Sequence, residues 1–65
     1  MSLYDYRYSQ NKELAMAPFY ALIMAAMRQA DDENKALLQR AWPEVWAELS
    51  KRYHAPGGIL PGEGA

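Results

Sequence analysis

The chain has 65 residues, 51% of them hydrophobic and 23% charged, a balance typical of one globular domain rather than a disordered segment. It has no cysteine, which excludes disulfides and thiolate metal ligands, and so small a domain commonly gains stability by oligomerising. The formal net charge of −1 argues against a general affinity for nucleic acid, because that affinity depends on lysine and arginine neutralising phosphates.

Residues 1–17 are predicted to form an N-terminal arm. Its tyrosines alternate with charged residues, a period of two that favours an extended segment with aromatic rings on one side. These tyrosines are Tyr4, Tyr6 and Tyr8. The arm either lies across the helices, with its rings covering the core, or pairs with another chain; we favour the first. Asn11 can cap a short helical turn over 12–16, and Pro18 favours a break just before it.

Residues 18–30 are predicted to form the first long helix, which Pro18 opens. One face carries apolar residues at helical spacing, including Phe19 and Leu22. A second apolar stripe consists of Tyr20, Met24 and Met27. A helix that is apolar almost all round must be buried almost all round. Either a partner covers the second stripe, or the arm and the tail of the chain fold over it.

Residues 31–42 and 43–54 are predicted to form the second and third helices. Asp31 or Asp32 can cap the second helix. In the third helix acidic residues lie early and basic residues lie late, which matches the helix dipole. The pair Glu48 and Arg52 adds a favourable i, i+4 interaction.

The junction between these two helices carries both tryptophans of the chain. Trp42 and Trp46 flank Pro43 and lie one helical turn apart, so they share a face. Proline at the first helical position gives up no hydrogen bond, and therefore Pro43 favours a helix start. The apolar stripe also continues from Leu38 through Trp42, so one helix kinked at Pro43 is the alternative; we favour a break. The tryptophans either seal a small core or anchor a partner.

Residues 55–65 form a tail that contains all four glycines. Pro56 and the glycines after it are expected to stop the third helix. Ile59 and Leu60 make an apolar pair that either tucks under the tryptophan corner or serves as a short linear ligand for another protein. Residues 62–65 are expected to be disordered.

Few residues suggest chemistry. His54 is the single histidine and has no ligand partner at metal-binding spacing, so we expect a helix-end residue. The acidic run 31–34 lacks the Gly and Glu that an EF-hand loop requires. Glu44 and Glu48 are expected to be solvated. We therefore predict no catalytic residue, no metal site, no cofactor and no enzymatic activity.

The sequence also bears on DNA binding and on membrane association. A helix-turn-helix DNA-binding regulator is one alternative, but the helix beginning at Pro43 is acidic and apolar where bases would be read, so nucleic acid is not the expected partner. The apolar run 19–27 is too short to span a bilayer, and no signal peptide is visible, so we expect a cytoplasmic protein without a membrane partner.

Three stretches of the chain resemble small uncharacterised proteins of bacterial genomes, phages and mobile elements. The stretches are PFYALIMAAMRQAD (18–31), WPEVWAEL (42–49) and RYHAPGG (52–58). The resemblance spans roughly residues 3–62. It implies a stand-alone protein but no known activity, so it assigns no functional residue. A phage-type accessory protein that modulates a host protein would fit it.

The sequence as a whole predicts an all-α, compact, single domain of three helices with an extended arm and a Pro/Gly tail. The core is expected around Leu22, Leu38, Trp42, Trp46 and Leu49. We predict a non-enzymatic protein–protein interaction module whose partner is another protein, with a homodimer favoured, and an accessory subunit of an enzyme as a further alternative. The candidate interface residues are Phe19, Tyr20, Met24, Met27, Trp42, Trp46, Ile59 and Leu60.

Overall fold

The computed structural model describes residues 1–64; the remaining residue of the predicted disordered end, Ala65, lies outside the described residues. The described chain forms α-helices and one 3-10 turn, with no residue in a β-strand. The elements are α1 (Leu3–Ser9), α2 (Lys12–Ala15), α3 (Phe19–Gln29), α4 (Asp32–Ala41), α5 (Pro43–His54) and the 3-10 turn Pro56–Gly58. The all-α prediction is confirmed.

The N-terminal arm is helical, and the prediction of an extended segment is wrong. The side chain of Ser2 caps α1 by accepting a hydrogen bond from the backbone N–H of Asp5 at 3.2 Å. A helix satisfies the backbone groups of this segment locally, whereas a lone strand would leave them without partners. Tyr4 and Tyr8 therefore lie one turn apart, with ring centroids 6.0 Å apart and ring planes tilted by 40°.

The short helical turn predicted after Asn11 is present as α2. The Asn11 side chain accepts hydrogen bonds from the backbone N–H groups of Glu13 and Leu14, at 3.0 and 3.2 Å. The helix ends at Ala15, before Pro18, which stands immediately ahead of α3. The predicted break before this proline is confirmed.

The three long helices occupy nearly the predicted ranges. Asp31 caps α4, because its carboxylate accepts a hydrogen bond from the backbone N–H of Asn34 at 2.8 Å. At the tryptophan junction, Trp42 has φ −132° and ψ 65°, which is not helical geometry, and α5 starts at Pro43. The predicted break, rather than a kink within one helix, is what the structure contains.

The core lies where α3, α4 and α5 pack against one another, and the 3-10 turn packs on α5. The buried side chains among residues 1–64 are Met27, with 1% of its surface exposed, and Leu49, with 7%. The rest of the predicted core is half-buried: Leu22, Leu38, Trp42 and Trp46. Met27, which was predicted to lie at the interface, is almost fully covered within the single chain and lines the same cleft as Leu49.

The chain as a whole is elongated, so the prediction of a compact domain does not hold for it. Its radius of gyration is 13.9 Å and its extents are 44 × 27 × 16 Å, whereas a compact chain of this length has a radius of gyration of about 11 Å. The main contacts between helices join α3, α4 and α5. The first two helices therefore lengthen the molecule instead of covering its core.

Candidate functional site

An aromatic cluster stands at the start of α3. The ring of Phe19 lies 5.3 Å from that of Tyr20 and 6.2 Å from that of Trp42, both in edge-to-face geometry. Phe19 is 58% exposed and Tyr20 is 57% exposed. Pro18 breaks the chain just before α3, and the exposed rings show that the first turn of α3 is left largely uncovered. This cluster is the most exposed part of the predicted interface.

The aromatic cluster continues into a cleft of about 480 Å³ that we call the acidic cleft. Its apolar lining comes from Tyr20, Met24 and the Trp42–Val45 corner, where α5 begins. The charged residues that line it are Glu44 and Glu48, with no lysine or arginine among them. Met24 is half-buried here, so the second apolar stripe of α3 is only partly covered.

A second cleft of about 460 Å³, which we call the basic cleft, opens where α3, α4 and α5 meet. Its floor is apolar and its rim is basic, with hydroxyl groups alongside. The floor consists of Met27, Trp46 and Leu49, and the rim includes Arg28, Lys35, Ser50, Tyr53 and His54. No carboxylate lines this cleft, and within residues 1–64 none of its basic side chains forms a salt bridge.

Arg52 connects α5 to the tail as far as Glu63, and the expected disorder of residues 62–65 stays a prediction. Arg52 donates two parallel hydrogen bonds to the Glu63 carboxylate, at 2.8 and 2.7 Å, and a third to the carbonyl of Gly58 at 2.8 Å. The backbone N–H of Leu60 also donates to Glu63, at 3.0 Å. A bidentate pair of this kind is among the stronger polar contacts in proteins.

These contacts shift both ionisation equilibria. The hydrogen bonds from Arg52, followed by that from the Leu60 N–H, lower the pKa of Glu63 to about 2. The hydrogen bond to Glu63 is the main cause that raises the pKa of Arg52 above its ordinary value. Glu48 adds an ion pair to Arg52 at 3.5 Å, which is the i, i+4 pair expected from the sequence. Arg52 is thus shared between two carboxylates.

The chain reverses after α5 through two glycines. Gly57 and Gly58 have φ values of +63° and +72°, a region that glycine adopts without strain. The turn leaves Ile59 exposed and Leu60 half-buried. Ile59 is therefore accessible at the surface, as the interpretation of the tail as a ligand for another protein requires.

Most of the predicted interface lies at the surface, but it is not one patch. Phe19, Tyr20, Met24 and Trp42 come together at the acidic cleft. Trp46 lies in the floor of the basic cleft instead.

Several further apolar side chains, not among the predicted interface residues, are exposed. The tyrosine rings of the arm are exposed, and so is Leu37 of α4. The missed residues are Leu3, Tyr4, Tyr6, Tyr8, Met16, Leu37 and Tyr53. The signal was present in the arm, whose tyrosines at i, i+4 spacing also suit a helix with one exposed side.

Neither a metal site nor a membrane span was found in the part of the chain that the structure describes. No group of three or more His, Asp or Glu side chains within residues 1–64 is placed to hold a metal ion. None of the helices in this range is both long enough and apolar enough to cross a bilayer.

Comparison of the chain with protein-family models, with curated proteins and with solved structures gave no match. The resemblance to small proteins of bacteria, phages and mobile elements stays a prediction.

Proposed function

We propose that this chain is a non-enzymatic, cytoplasmic protein–protein interaction module that binds a second copy of itself. The observation that carries the proposal is its accessible surface of 5660 Å². A compact monomer of the same mass exposes about 4,200 Å². The chain exposes about a third more than that, and the difference exceeds the roughly 800 Å² that one partner contributes to an interface of standard size.

The chemistry of the exposed residues supports the same proposal. Large apolar side chains at the surface of residues 1–64 far outnumber those in the core, where Met27 and Leu49 stand alone. Many of the exposed ones are tyrosines, and aromatic residues are enriched where proteins bind one another. The aromatic cluster beside the acidic cleft combines exposed rings with a concave apolar surface, which suits a partner's side chains.

The alternatives receive less support from the geometry. In a helix-turn-helix protein the first turn of the second helix faces the DNA bases, and here that turn of α5 carries Glu44. The basic residues of the basic cleft surround an apolar floor rather than lying along one helix. No residue of the described chain supports a role as an accessory subunit of an enzyme.

Sedimentation equilibrium over a hundredfold range of concentration tests the proposal. We expect the mass to rise above 7.4 kDa, the mass of one chain, as concentration increases. The variant Tyr20→Ser should weaken association by about tenfold or more, because it removes a ring from the aromatic cluster. Tyr6→Ser is the matched control: Tyr6 is equally exposed but lies on α1, away from both clefts. A chain that stays monomeric throughout would refute self-association.

A further inference from the structure

We propose that copies of this chain associate head to tail, with the acidic cleft and aromatic cluster of one copy seated on the basic cleft of the next. This inference rests on the proposed self-association and specifies its geometry. It commits to a second copy as the occupant of the basic cleft, and charge complementarity within the chain is the reason.

The two clefts are opposite in charge and alike in their apolar character. The acidic cleft is lined by carboxylates and the basic cleft by cations, although the whole chain has a net charge of only −1. Such segregation is not needed for solubility, which mixed charges would serve equally well. A surface with apolar centre and negative rim is complementary to one with apolar centre and positive rim.

The charges in each cleft are available to a partner. Glu44 forms no salt bridge among residues 1–64. Glu48 and Glu63 both pair with Arg52, so this group of two carboxylates and one guanidinium keeps one negative charge. On the other side, Arg28 is exposed, and it too is without a salt-bridge partner in the described chain. Unpaired charges at the rim of an apolar surface select the partner and speed its encounter.

The two clefts lie on different sides of the molecule, so the acidic cleft of a copy cannot contact its own basic cleft. At 100° per residue, Glu44 and Glu48 project from the opposite side of α5 to Ser50 and Tyr53. Along α3, Tyr20 of the acidic cleft and Arg28 of the basic cleft are eight residues, or about 12 Å, apart. When the acidic cleft of one copy binds the basic cleft of another, each copy keeps one cleft free. Such a contact builds closed rings or open chains rather than stopping at two copies.

Two charge-reversal variants test this arrangement. The basic-face variant carries Arg28→Glu and Lys35→Glu, and the acidic-face variant carries Glu44→Lys and Glu48→Lys. In each variant both clefts carry charge of the same sign, so its copies repel one another. Each variant alone should therefore be monomeric in sedimentation velocity.

An equimolar mixture of the two variants tests the charge complementarity more sharply than either variant alone. In the mixture one variant presents two acidic clefts and the other presents two basic clefts, so unlike copies can alternate and assembly should return. A mixture that stays monomeric counts against the head-to-tail contact.

Folding and specificity each need a control. Circular dichroism and melting temperature show whether the variants are folded. The pair Arg28→Gln and Lys35→Gln removes the cations without adding charge, and it should weaken assembly of the otherwise unmodified chain by about tenfold. The matched charge control is Arg40→Glu with Lys51→Glu, since both side chains are exposed and line neither cleft. That control should assemble as the unmodified chain does.

The outcomes separate this inference from the proposed function. Assembly of the unmodified chain beyond two copies, weakened about tenfold between 50 and 500 mM salt, supports the head-to-tail contact. Assembly that stops at a dimer, or that is unaffected by the Arg28 and Lys35 variants, overturns the head-to-tail contact and leaves self-association standing. A monomer at every concentration overturns both.

Discussion

Met27 and Met16 have the same side chain in opposite surroundings. Met27 is 1% exposed at the meeting of three helices, whereas Met16 ends α2 and is 76% exposed. In a chain with so few buried side chains, each one carries a large share of the stability. How much a residue contributes to the free energy of unfolding therefore depends on whether it is buried, and not only on its chemical type.

Met27→Ala is expected to cost about 2–5 kcal/mol of unfolding free energy, because it removes buried methylene groups and leaves a cavity. In so small a domain that loss is enough to populate the unfolded state. Met16→Ala makes the same chemical change at the surface and should alter stability by less than about 0.5 kcal/mol. Urea unfolding followed by circular dichroism compares the two variants, and equal effects would contradict the assigned core.

Glu63 gives the tail a dependence on pH. Its ordinary pKa is 4.5, and its contacts with Arg52 and the Leu60 N–H lower the pKa to about 2 in the folded chain. A lowered pKa means that the carboxylate stabilises the fold fully above about pH 4.5. That stabilisation is lost as the pH falls from 4.5 towards 2. The effect is small, because the pair is accessible to solvent.

Glu63→Gln is therefore expected to loosen the tail at pH 7 and to have a progressively smaller effect as the pH falls from 4.5 towards 2. The Leu60 amide in two-dimensional NMR spectra reports directly on the contact, since it donates to this carboxylate. Glu48→Gln removes the longer ion pair to Arg52 and serves as the matched control with a smaller effect. A measured pKa of 4.5 for Glu63 would show that its two hydrogen bonds with Arg52 do not persist in solution.

The helices of this chain differ in what stabilises them. The α1 helix depends on its Ser2 cap and on the neighbouring rings of Tyr4 and Tyr8, which are local contacts. Helices of this length are marginal in water without tertiary packing. By contrast α3, α4 and α5 bury side chains against one another. The chain should therefore open in parts, with the N-terminal helices opening first.

Hydrogen exchange measures this difference between elements. We expect the amides of α1 to exchange at least about 100-fold faster than those of Met27 and Leu49, because α1 has few tertiary contacts to lose. The measurement should use dilute protein, so that exchange from the single copy is observed. Protection of α1 equal to that of the core at the lowest concentration would place the arm on the core after all.

The elongated shape is a property of the whole molecule. Its radius of gyration and its large accessible surface have one cause, namely that α1 and α2 lengthen the chain beyond its three-helix core. A surface so rich in exposed aromatic side chains is unusual for a monomer and typical of a subunit.

Small-angle X-ray scattering tests the shape of the single copy. Extrapolated to zero concentration, the radius of gyration should lie at or slightly above 13.9 Å, and it should grow as the chain associates. A value of about 11 Å would mean that the arm folds back onto the core. It would also remove the excess of exposed surface on which the proposed self-association depends.

Local signals in the sequence were sufficient for much of the helical framework. Asn11, Asp31 and Pro43 mark the start of helices through contacts within a few residues, and each does so in the structure. The arm is the instructive exception. Alternating tyrosines suit both a strand and a helix, and the Ser2 cap and the lack of any strand to pair with decide for the helix.

The candidate site was predictable only in its composition. Phe19, Tyr20 and Trp42 were recognised as interface candidates, but nothing in the spacing separates them from Met27, which shares a stripe with Tyr20 and is buried. Which part of a stripe is covered depends on where α4 and α5 cross α3. The separation of Glu44 from Arg28 into two clefts depends on the same crossing.

The sequence by itself determined where the long helices begin and end, because caps, prolines and glycines act on backbone groups within one or two turns. Only the tertiary structure decided which apolar side chains remain exposed and how the charges divide between two clefts. The physical reason is that burial is a property of two surfaces in contact, and a residue's neighbours along the chain do not determine which surface meets its own.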